Sequence, residues 1–161
     1  MTLAGALAGG FVGTLLLTTM MRSASELRLT RVDLPFILGT AVTSDRPRAK
    51  ALGYLIHFGF GFLFALGYYA LFRALDTAGW ALGAAFGAVH GVFSGTALVG
   101  VLLPVIHPRM GTRFTAADSA PLLEAPGFLM LNYGRATPVV ALLAHVAYGS
   151  LVGGFASWPN T

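Results

Sequence analysis

Four stretches of this chain, residues 1–21, 51–72, 77–108 and 136–161, contain no Asp, Glu, Lys or Arg. Each is longer than the ~20 residues with which a helix crosses ~30 Å of hydrocarbon. The pattern predicts an all-α polytopic membrane protein in a single membrane domain, 1–161, with transmembrane helices over 3–21, 50–73, 79–105 and 137–157. Composition agrees: 56% of the 161 residues are apolar and 10% charged, outside the range of soluble domains. The first segment has no basic region before its apolar run, and Ser23-Ala24-Ser25 is a poor cleavage match. It therefore reads as a span, not a secretory signal. The absence of cysteine excludes disulfides, thiol catalysis and iron–sulfur or zinc–cysteine centres.

The net charge of +4 is a topology signal and implies no nucleic-acid partner, because nine of the ten basic residues lie in two connections. Loop 1, between the first and second spans, holds Arg22, Arg28, Arg31, Arg46, Arg48 and Lys50; loop 3, between the third and fourth, holds Arg109, Arg113 and Arg135; the remaining turn has Arg73. By the positive-inside rule loops 1 and 3 are cytoplasmic and both termini outside, in a multi-pass protein of the bacterial inner membrane. Tyr68, Tyr69, Trp80 and Trp158 then form an outer aromatic belt. Short interfacial helices are expected in both loops. In loop 1 a capping-box pattern at Ser23–Glu26 precedes Asp33-Leu-Pro-Phe-Ile-Leu-Gly39; in loop 3 residues 118–124 precede Phe128-Leu-Met-Leu131.

Glycines four residues apart stack on one helix face and let a second backbone approach closely. The third span carries Gly83, Gly87, Gly91 and Gly95, the first Gly5, Gly9 and Gly13, and the fourth Gly149 and Gly153. A weak 2+2 pseudo-repeat accompanies them. Gly9-Gly-Phe-Val-Gly-Thr14 matches Gly91-Val-Phe-Ser-Gly-Thr96, His57 with Gly61 matches His145 with Gly149, and Asp33 matches Asp118, at offsets of 82, 88 and 85. Two spans per half imply halves related by an axis along the membrane normal, with the first and third spans meeting there.

His57, His90 and His145 lie inside spans, the first and last on stripes of small residues, at depths that let all three share one layer. His107 precedes Pro108 at the surface. Intramembrane ionisable groups are functional candidates, and the competing reading is a neutral imidazole acting as interhelical glue to Ser94, Thr96 or Tyr148. As cofactor ligands, two imidazoles suit a haem, with Gly59, Gly61 and Gly149 leaving room for the macrocycle; one suits a chlorophyll-type ring, three suit copper or zinc, and a cluster can relay protons. Phe93-Ser94-Gly95 with Ala144-His145 resembles the serine and histidine motifs of rhomboid-like proteases. Val92 stands in place of that motif's first glycine and the histidine spacing is one residue too long, so no enzyme is predicted and Ser94 is expected to back-bond within its helix or bridge to a neighbour.

The segments Gly9–Thr14 with Met20-Met21, Asp33-Leu-Pro with Leu38-Gly39, Leu55-Ile-His57, Gly87-Ala-Val-His90-Gly91 and His107-Pro108 together resemble small bacterial inner-membrane proteins of the YagU-like kind. That resemblance implies four spans without an assigned reaction and draws attention to Asp33, His57, His90 and His107. The expected function is a non-catalytic accessory or structural subunit of a larger membrane assembly, its partners the lipid bilayer and either a second copy or other subunits' helices. The alternatives are a redox or pigment module built on the histidines and a small channel or proton-coupled carrier with Asp33 on its path.

Overall fold

A computed structural model describes residues 1–111 and 123–158. The loop 3 element expected at 118–124 falls almost entirely outside them. The described residues are helical apart from loops, with one isolated bridge between Met110 and Leu123 tying the two flanks of loop 3. Among the described residues four helices are long and apolar enough to cross a membrane: Leu3–Glu26, Arg46–Ala74, Trp80–Ile106 and Thr137–Ser157. The all-α polytopic expectation holds.

Helix α1 (Leu3–Glu26) starts at Thr2, whose hydroxyl oxygen accepts from the Gly5 N–H at 3.0 Å. It runs through Ser23–Glu26, so the capping-box pattern there opens no new element; Glu26 instead pairs back along the helix with Arg22 at 2.7 Å. Helix α2 (Leu34–Thr40) is the short loop 1 helix foreseen at Asp33, which caps it by accepting from the Phe36 N–H at 3.1 Å. Helix α3 (Arg46–Ala74) is capped by Asp45 with Pro47 in its first turn.

The third span has three parts. Helix α4 (Trp80–Phe93) passes without a break into a π-helical stretch, Ser94–Leu102, and then into α5 (Leu103–Ile106). Pro104 brings no N–H and crowds the carbonyl a turn before it, and the wider π turns accommodate that loss. Loop 3 ends in a 3-10 turn, Phe128–Tyr133, before α6 (Thr137–Ser157).

Helix α6 sits between α1 and α4. A Cβ on Gly9 would meet the Leu151 carbonyl oxygen at 2.7 Å, and one on Gly13 the Tyr148 ring at 2.8 Å. On the other side a Cβ on Gly87 would meet Val146 Cα at 2.8 Å, and Gly83 faces the Gly149 carbonyl. The glycine ladders of α1 and α4 therefore both close on α6, and the expected meeting of the first and third spans is corrected. Gly95 departs from its ladder as well, facing Leu129 of the 3-10 turn. Helices α1 and α6 are antiparallel, joined at one end by the Thr2 N–H to Ala156 oxygen bond of 3.0 Å and at the other by the Thr30 and Thr137 hydroxyls, 2.7 Å apart.

Loops 1 and 3 interlock at that second end. Helix α2 packs on α3, with Gly39 against the Ala49 carbonyl and Gly53 against the Pro35 carbonyl. Its last carbonyls are taken by loop 3: His107 Nε2 donates to Ile37 O at 3.0 Å and Arg109 Nη1 to Thr40 O at 2.6 Å. Arg31 pairs with Glu124 at 3.1 Å, and its backbone N–H reaches Tyr133 O at 2.7 Å.

The backbones of α3 and α4 stay apart. Toward the termini, rings of Tyr68, Phe72, Phe86 and Tyr148 bridge the gap at centroid distances of 5.5–5.9 Å for Phe72–Phe86, Tyr68–Tyr148 and Tyr68–Phe86. Toward loops 1 and 3 the gap stays open. In the repeat, the α6 residues on α1, Tyr148, Leu151 and Val152, correspond at an offset of 88 to Phe60, Leu63 and Phe64 of α3. Where the first set closes on α1, the second borders an opening. The packing is not two-fold, and the cavity lies where a symmetric contact would be.

Candidate functional site: an intramembrane histidine cavity

That opening is a cavity of about 500 Å³ between α3, the third span and α6, within the size range of small-molecule sites. Among the described residues no Asp, Glu, Lys or Arg lines it. Its walls are aliphatic and aromatic, and its mouth, edged by Phe60, Leu63, Leu102 and Ile106, is formed by side chains exposed on the outer surface of the spans.

The three span histidines all line this space. His90 and His145 meet edge to face, ring centroids 4.8 Å apart, and Phe64 covers the other side of His90 at 4.0 Å. The α4 ladder makes this approach achievable, since a Cβ on Gly91 would sit 3.1 Å from the His145 Cβ.

One hydrogen bond assigns a ring proton. His145 Nδ1 lies 2.7 Å from Ala141 O, an acceptor only, so Nδ1 carries the proton and Nε2 of the neutral ring presents a lone pair. The Tyr68 hydroxyl lies 3.3 Å from His90 Nδ1 and has no other acceptor among the described residues. With that hydroxyl as donor, Nδ1 accepts and the His90 ring proton sits on Nε2; the other tautomer reverses the roles. Tyr148 and Thr14, also in the wall, are satisfied by Gly61 O at 2.6 Å and Gly10 O at 2.7 Å. The His57 ring makes no hydrogen bond to a described residue. Neither does the Ser94 hydroxyl, so the expected back-bond is not formed, although Thr96 makes one to Val92 O at 2.7 Å. Among the described residues no buried side-chain nitrogen or oxygen lacks a partner. The open valences of His57, His90, Ser94 and His145 therefore meet no hydrogen-bond partner among the described residues.

This geometry sorts the cofactor expectations. Bis-histidine ligation places two rings on opposite faces of a macrocycle, whereas His90 and His145 touch each other. Two of the three glycines expected to make room for a macrocycle are also committed elsewhere. Gly61 faces the Thr14 side chain and Gly149 faces Gly83, while Gly59 is exposed with nothing near it. Among the described residues no group of three His, Asp or Glu is placed to hold a metal ion. Ser94 and His145 border the same cavity without the hydrogen bond that links a nucleophile to its base.

His57 also lines a second, more polar cavity of about 170 Å³, between α1, α2 and α3, bordered by Arg22, Glu26, Asp33 and Tyr54. Asp33 belongs there, paired with Lys50 at 3.3 Å, and His107 lines neither space. Both cap α2. Tyr68 is the participant that the sequence reading did not place beside the histidines. It falls three residues after Ala65 on the stripe of His57 and Gly61, and that i+3 step was its signal. No protein-family model, curated protein or solved structure matches the chain.

Proposed function

We propose that this protein binds a neutral, lipid-soluble small molecule inside the membrane, admitting it from the bilayer between α3 and the third span. The observation that carries the reading is the set of four side chains, His57, His90, Ser94 and His145, with unused hydrogen-bonding capacity on an otherwise apolar cavity. Each such group left without a partner in an apolar setting costs about 1–3 kcal/mol. An occupant with matching polar atoms recovers that cost. The absence of charge among the described wall residues favours a neutral occupant, and the apolar mouth favours one that partitions into lipid.

An accessory role beside other membrane subunits draws on surplus small-residue faces. Within the spans that surplus reduces to Gly59 and Gly67, because the other glycines face their own chain. The intramembrane ligand is therefore the stronger reading. The charge distribution supports loops 1 and 3 on the cytoplasmic side of a bacterial inner membrane with the termini outside.

The test is a blocking variant. Leu102 lines the mouth and is 48% exposed; its neighbour Val101 is 63% exposed and outside the lining. Full-length protein in lipid nanodiscs is extracted with solvent, and the species retained per chain are identified by mass spectrometry. Wild type and V101W are expected to retain a non-phospholipid molecule that L102W loses. Identical extracts from all three would overturn the proposal.

A further inference from the structure

We infer that the occupant is a quinone or its quinol carrying an apolar tail; this rests on the ligand-binding reading above and names its class. The polar groups stand on more than one wall. His90 and Ser94, four residues apart, project from the third span, His145 from α6 and His57 from α3. A molecule with one polar end, such as a long-chain alcohol, engages one wall only. A ring with oxygens on opposite edges engages two.

The proton assignments suit both redox forms. Ser94 presents its hydroxyl, and His90 presents Nε2–H when Tyr68 donates to its Nδ1, donors for a quinone carbonyl. His145 presents an Nε2 lone pair, an acceptor for a quinol hydroxyl. His57, free at both ring nitrogens among the described residues, serves either form on the other wall. Phe60 and Phe64 give the ring an aromatic face, and the mouth between Leu63 and Leu102 lets the tail run into lipid. A carboxylate or phosphate headgroup is disfavoured, since no cation among the described residues lines the cavity.

The experiment uses full-length protein in phosphatidylethanolamine and phosphatidylglycerol nanodiscs. The probes are decylubiquinone and decylbenzene, which share tail length and differ in ring oxygens. Decylubiquinone is expected to saturate at one molecule per chain and to bind about tenfold or more tighter than decylbenzene, the worth of two hydrogen bonds. H57F and S94A each weaken it by about threefold to tenfold. Ser94 bonds no described residue, so S94A leaves the fold intact and keeps the test valid if H57F fails to assemble. Infrared difference spectra provide a direct readout: the carbonyl bands move to lower frequency on binding, and S94A returns part of that shift. Equal affinity for the two probes, or decylubiquinone binding unchanged by S94A and H57F, overturns the assignment. If L102W still strips an extracted molecule while decylubiquinone fails, the class is wrong and the ligand-binding function stands; if both fail, both readings fall.

Discussion

His90 and His145 meet edge to face at 4.8 Å, with ring planes 80° apart, across a helix pair whose backbones touch at Gly87 and Gly91. The glycines and the histidines form one device. Without the bare Cα at Gly87, α4 cannot come close enough to α6 for the rings to touch.

Gly87→Ala is therefore expected to lower stability by about 1–3 kcal/mol through overpacking against Val146. Gly59→Ala, with nothing within 4 Å of its new methyl, is expected to be neutral or to stabilise by up to about 1 kcal/mol through helix propensity. Reversible unfolding in mixed micelles measures both. A Gly87→Ala variant as stable as wild type would refute the close packing of α4 on α6.

Thr30 and Thr137 share a hydrogen bond of 2.7 Å at 3% and 0% exposure, tying loop 1 to the start of α6. Thr137→Val leaves a buried hydroxyl with one partner fewer and is expected to cost about 1–3 kcal/mol. Adding Thr30→Val should cost less than its single-variant value, because no Thr137 hydroxyl is then left behind, while the loss of the acceptor for the Val32 N–H at 3.2 Å is common to both backgrounds. A double-mutant cycle checks this, and strict additivity would show the pair to be uncoupled.

Asp33 performs two tasks that substitution separates. Asp33→Asn keeps the cap on the Phe36 N–H and loses only the part-exposed pair with Lys50, an expected change of under about 1 kcal/mol that shrinks in high salt. Asp33→Ala loses the cap as well, an expected further cost of about 0.5–2 kcal/mol that salt does not remove. Melting temperatures at low and high salt distinguish the two; equal losses would mean that the ion pair, not the cap, carries the effect.

Tyr133, 6% exposed, donates its hydroxyl proton to Glu124 O at 2.6 Å. Burial, with the Glu124 carboxylate adding to it, pushes its pKa up from 10 to about 12. A folded-state value above the unfolded one means that this contribution is full below pH ~10 and is lost as pH rises through ~12. Tyr133→Phe is expected to be less stable than wild type at neutral pH and to show less of the wild type's decline between pH ~10 and ~12. Parallel declines in the two proteins would contradict the shift.

That His57, His90 and His145 face inward was legible in the sequence, because small-residue stripes mark the faces on which membrane helices pack. Their pairing was not identifiable. His145 touches His90, while His57 stands apart on another wall, because the backbones of α3 and α4 do not pack. No property of either helix alone states that. The commitment of Gly61 to Thr14 and of Gly149 to Gly83 was likewise hidden, since a glycine stripe says that some backbone comes near and not which one.

By itself the sequence determined the four spans, the α2 cap at Asp33 and the inward set of histidines. These follow from hydrocarbon thickness, local hydrogen bonding and helical periodicity, all of which act within a short stretch of chain. Tertiary structure alone decided that α6 would be the shared partner of both glycine ladders, that loop 3 would finish α2 through His107, and that a space would remain beside the histidines. Those outcomes depend on which helix faces compete for the same neighbour, a contest between residues as much as 150 positions apart, as for Gly5 and Phe155.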